Sequence, residues 1–167
     1  MQTFKDNKNR KWVIDLTIAK VRRLRDALGL DLMNPQHYVS VLQSLTDQLS
    51  FVFLLVEHEA KEEGIDADGF ERRLQGEGIA TGASLAFLNE LAVFFRKFDL
   101  EAFAKMADNS IRMRKKAQAS FNEMIASGRF DSAMEQATME MEAMLHGIDG
   151  NTSPTSVQSQ AGNPGQP

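Results

Sequence analysis

Apolar and polar positions alternate at the start of the chain and then settle into helical spacing. Trp12, Ile14 and Leu16 alternate with Lys11, Val13 and Asp15, the period of a strand with one buried face. Thr3-Phe4-Lys5 precedes them across the polar run Asp6-Asn7-Lys8-Asn9-Arg10, so residues 3–16 predict a β-hairpin. A lone hairpin is marginal in water, so its Trp12 face requires helices to lie on.

Helices are predicted over 18–28, 35–63 with one interruption, 67–75, 79–98, 100–127 and 131–146. Thr17 serves as an N-cap and Gly29 as a stop for the first. Its stripe Ile18, Val21, Leu24, Ala27 and Leu28 leaves Lys20, Arg22, Arg23 and Arg25 on the other side. Asn34-Pro35 starts the second, and Thr46 or Asp47 is the expected new start after the interruption near 44–47. Asp66, Asp99 and Asp131 are the expected caps further on, with Gly76, Gly128 and Gly147 as stops. In the fifth predicted helix, Ile79, Ala83, Phe87, Leu91, Phe94 and Phe98 fall three or four residues apart. The expectation is a mainly α fold: one helical domain over 1–148 with a short N-terminal β-hairpin. A disordered polar tail is expected over 149–167, where Ser, Gln, Gly and Pro offer little to bury.

Length and composition allow one such domain with a real core, since 43% of the 167 residues are apolar. The absence of cysteine excludes disulfides, thiol nucleophiles and Cys-based metal sites. The most apolar run, 49–56, is far shorter than the ~20 residues of a spanning helix. No basic segment followed by an apolar one opens the chain, so a cytoplasmic location is expected and no membrane partner.

Charge is uneven although the net is only −4. Residues 1–26 hold eight basic and three acidic groups, and residues 57–77 hold three basic and eight acidic. Residues 117–167 hold one basic and six acidic. Opposite blocks in one chain point to head-to-tail self-association or to docking within the molecule, set against ordinary solvated faces. Arg22, Arg23, Arg25, Arg112, Arg114, Lys115 and Lys116 form the candidate basic patch for phosphates. The acidic total and the scarcity of stacking aromatics weigh against nucleic acid. His58-Glu59-Ala60-Lys61-Glu62 departs from a helical zinc site because Glu62 stands where a second His is needed. Gly76-Glu77-Gly78 follows a predicted helix rather than a strand, which removes the dinucleotide context. No nucleophile elbow or phosphate loop occurs, so neither catalysis nor a cofactor is expected.

Methionine is the unusual residue. Nine are present, and Phe130, Met134, Met141 and Leu145 share one face of the last predicted helix with Met144 beside them. Soft, unbranched Met suits a face that grips apolar partners, and it also suits packing on the chain's own core. These five residues are the candidate partner-binding face.

Several pieces taken in order carry a resemblance. They are Phe4-x-Asp6 before Arg10-x-Trp12, and Thr17 with a helix ending Gly29-Leu30-Asp31-Leu32. Next comes Gly64-Ile65-Asp66-x-x-Gly69-Phe70-x-x-x-Leu74-x-Gly76-x-x-Ile79, and then Glu90-Leu91-Ala92-x-Phe94-Phe95. Over about residues 4–115 this order resembles small proteins of phage and prophage tail modules, similar to tail assembly chaperones of long-tailed phages. In relatives the paired Phe is usually followed by Pro, where this chain has Arg96-Lys97. The resemblance implies a binding role in the host cytoplasm: keeping the long tape-measure protein soluble while tube subunits polymerise, in many relatives with a frameshifted extension that recruits the tail tube protein. It brings no catalytic residue. A small DNA-binding regulator using Arg22, Arg23 and Arg25, and a structural minor tail protein, are the alternatives.

Overall fold

The computed structural model describes residues 1–148, and over 129–148 the backbone and some of the side chains. The tail expected over 149–167 lies outside the described residues. The chain is mainly α, with seven helices and one two-stranded hairpin among the described residues. Strands β1 (Gln2–Lys5) and β2 (Lys11–Ile14) pair antiparallel, with Phe4 opposite Trp12. Helices α1 (Ile18–Leu28), α2 (Pro35–Gln43), α3 (Leu45–Glu62) and α4 (Ala67–Arg73) follow. Then come α5 (Ile79–Lys97), α6 (Glu101–Ala126) and α7 (Arg129–Ile148). The helical region read as one domain divides into two compact units, Met1–Gln118 and a second beginning at Ala119, with the break inside α6.

The first unit carries the core. Every buried hydrophobic side chain among the described residues lies between Phe4 and Ile111. The hairpin lies on α5 and α3, as its Trp12 face demands. Trp12 is fully buried with its ring edge-on to Phe70 of α4, 5.4 Å away. Its indole N–H donates to Asp6 at 3.1 Å. Glu90 of α5, also buried, accepts the Leu16 N–H at 3.2 Å and lies 3.0 Å from the Met1 amino group. Helix α5 is long and apolar enough to cross a membrane, but 56% of that stretch is buried within the fold. Its apolar length is explained by packing against the hairpin and α3.

Two caps differ from expectation. Ser44, rather than Thr46 or Asp47, ends α2 and starts α3: its N–H donates to Ser40 O and its hydroxyl accepts from Asp47 N–H at 3.2 Å. One residue serving both ends turns the chain by 101°. Asp99 does not cap α6. It closes α5 in the left-handed region at φ 57°, with Leu100 N–H donating to Phe95 O and Asp99 N–H to Arg96 O. Asp is favoured both at N-caps and, as a non-glycine, in this conformation, so composition alone does not separate the two roles. Helix α7 starts at Arg129, which places Asp131 inside it rather than before it, and it continues through Gly147.

The residues behind the family resemblance have physical roles in this fold. Gly64 ends α3 at φ 68°, and Ile65 N–H returns to Ala60 O. Asp66 caps α4 through Gly69 N–H at 2.7 Å, so close that a Cβ at Gly69 would meet the Asp66 carboxylate at 2.8 Å. Ile65, Phe70 and Leu74 then enter the core. The motif is a turn-and-cap device that seats α4 beneath the hairpin.

Candidate partner-binding surfaces

In the second unit, apolar side chains face water. Met134, Met141 and Met144 are 54%, 63% and 71% exposed, and Phe121, Met124, Ile125 and Met139 are exposed as well. The side chains of Phe130 and Leu145 lie outside the described residues. Among the described residues Met134, Met141 and Met144 therefore lack cover, and the acids Glu123, Glu135, Glu140 and Glu142 accompany them in sequence. Exposed apolar side chains grouped on one short helical segment mark an interaction surface more often than chance exposure does.

The structure does not assemble the candidate basic patch as one surface. Arg23 pairs with Glu57 of α3, and Arg25 pairs with its neighbour Asp26 at 3.0 Å. Lys61 also donates to Glu57, and these contacts hold the Glu57 carboxyl below its ordinary value. Arg22, Lys115 and Lys116 are exposed, while Arg112 donates to Asn109. Arg114 is a correction to the patch, because its guanidinium turns inward. One nitrogen donates to Ser84 Oγ at 2.7 Å and another to Leu42 O at 3.2 Å. Ser84 in turn donates to the fully buried Gln48, whose amide donates to Val41 O and Leu42 O. These carbonyls are left open where α2 ends, so Arg114 satisfies a helix terminus instead of meeting phosphate. Burial lowers its affinity for the proton.

Opposite charge blocks meet inside the first unit. Arg10 contacts both Glu59 and Glu63 and lies 4.1 Å over the Trp12 ring. Arg73 pairs with Asp6 at 3.2 Å. Hairpin and α1 charges are thus matched to α3 and α4 within one molecule. His58 and Glu62 lie 3.5 Å apart on an exposed helix face, an ordinary pair one turn apart.

A feature that periodicity did not separate from core is an open cleft of about 810 Å³ in the first unit. Leu49, Phe53 and Leu54 of α3 line it together with Phe70 and Glu71 of α4 and the α4 cap Leu74. The three α3 side chains are only half-buried. Comparison of the chain with family models, with curated proteins and with solved structures finds no match.

Proposed function

We propose that this chain is a non-enzymatic tail assembly chaperone that binds the tape-measure protein of a long-tailed phage in the host cytoplasm and keeps it soluble during assembly. The observation that carries the reading is the exposed Met face of the second unit, with Met134, Met141 and Met144 open to water. A very long helical partner presents repeated apolar stripes, and flexible thioether side chains adapt to such stripes without requiring one sequence. The order of hairpin, turn-and-cap motif and paired Phe supplies the family resemblance. Arg114 turns inward, and the exposed Arg23 and Arg25 each pair with a carboxylate, which weakens the patch of the DNA-binding alternative.

Coexpression tests the proposal. Soluble yield of the tape-measure protein is expected to rise with the wild-type chain and to fall back when Met134, Met141 and Met144 are all replaced by Ser. Unchanged yield across several tape-measure fragments refutes it. Purified particles should lack the chaperone, and finding it there in fixed stoichiometry favours a minor tail protein.

A further inference from the structure

The cleft between α3 and α4 belongs to the first unit, the Met face to the second, and the cleft has its own chemistry. On α3 its lining steps from Thr46 to Leu49 and Phe53, and on α4 from Phe70 to the cap Leu74, the three- and four-residue steps of two helix faces turned towards a common space that α1 and α5 also touch. From Thr46 to Leu54 the α3 wall runs eight residue steps, roughly 12 Å or about two helical turns. Ordinary core packing would fill such a gap. Here Phe70 and Leu74 are buried, but Leu49, Phe53 and Leu54 on the α3 wall remain half-buried, so that wall offers a seat for a further helix.

Charge selects the occupant. Glu71 is the only charged residue on the lining, and its carboxylate has no ion-pair or hydrogen-bond partner among the described residues. Glu77, next to the lining Gly76, is likewise exposed and without a partner among them. Elsewhere in the first unit Glu57, Glu59 and Glu63 are by contrast already matched to Lys or Arg. A fatty acid would bring a carboxylate against Glu71. A second copy's Met face would bring the block over 117–167 that has six acidic groups and one basic. Both meet like charge.

We propose that the cleft is a docking site for a basic amphipathic helix of a partner protein, with two apolar turns seated between α3 and α4 and a Lys or Arg at Glu71. The site does not depend on the phage-tail reading, since any partner with such a helix satisfies it. It also differs from the Met face in unit, in elements and in the residues that serve it.

The test uses the full chain and a labelled Leu/Lys amphipathic peptide of about 18 residues, five turns, followed by fluorescence anisotropy. The same peptide with Glu in place of Lys is the control. Wild type should bind the Lys peptide at least about tenfold more tightly than the Glu peptide, a preference reduced by added salt. Glu71→Lys changes an exposed side chain without a partner, so the fold should persist by circular dichroism while the preference disappears or reverses. Leu49→Arg, which places a charge on the apolar wall, should abolish binding of both peptides. Replacing Met134, Met141 and Met144 by Ser should leave the affinity unchanged. Equal binding of both peptides, indifference to Glu71→Lys, or loss of binding in the Met variant overturns the proposal. Saturable oleate binding or self-association that Leu49→Arg removes, in place of peptide binding, overturns it equally.

Discussion

Asp6 shows how much one side chain can organise. Its buried carboxylate accepts the N–H groups of Lys8 and Arg10 at 2.9 Å, the Trp12 indole and the Arg73 guanidinium. Hairpin turn, strand and α4 therefore converge on one residue. Burial alone would raise its carboxyl, but the bonds from Arg10, Trp12, Arg73 and Lys8 outweigh it and hold the group below its ordinary 3.8. A depressed folded value means that the unfolded chain binds the proton more readily. Stability from Asp6 is accordingly whole above that ordinary value and is lost as pH falls through the lower folded one. Asp6→Ala leaves four donors without their acceptor and should cost about 2–4 kcal/mol at neutral pH. Urea unfolding from about pH 6 down to pH 2 checks both parts: the variant should be weaker at pH 6 and should lose less on acidification than wild type. Equal slopes would remove Asp6 as a source of the acid sensitivity.

At the scale of elements, the ends of helices decide most of what differs from expectation. The break between α2 and α3 was legible as a break, yet Ser44, Thr46 and Asp47 all have side chains fit to cap, and only the fold selects Ser44. Arg114 was legible as a charge but not as a clamp. The carbonyl it serves, Leu42 O, lies 72 residues away, and no local pattern encodes that meeting. Arg114→Ala should cost about 1–3 kcal/mol because Leu42 O and Ser84 lose a charged donor. Lys115→Ala, at an exposed neighbour, should stay within about 0.5 kcal/mol. Chemical denaturation separates a clamp from a patch, since two equal small effects would return Arg114 to the surface. Asp99 gives the complementary case. Asp99→Gly relieves a side chain held at φ 57° and should gain about 0.5–1 kcal/mol, whereas Asp99→Ala should lose stability. Thermal melts in which Ala matches Gly would refute the left-handed assignment.

For the whole molecule, the division of labour is between a unit that buries its apolar side chains and a unit that shows them. The apolar run over 49–56 and the apolar face of the last helix were both legible, because composition and spacing report which stretches and faces are apolar. They do not report whether a neighbour covers that face, and so the cleft and the Met surface needed tertiary structure to become visible. Among the described residues the buried hydrophobic set ends at Ile111, and the Arg114 clamp on the α2 terminus also precedes the break at Gln118. A chain ending at Gln118 should therefore fold, with cooperative melting within a few degrees of the full chain, roughly the effect of 1 kcal/mol or less. It should still prefer the Lys peptide over the Glu peptide, because the cleft is intact. It should fail to raise tape-measure solubility, because the Met face is gone. Calorimetry, anisotropy and coexpression read these three properties independently. A non-cooperative melt would mean that the first unit needs residues beyond Gln118 to fold, and retained tape-measure protection would move that function from Met134, Met141 and Met144 to the first unit.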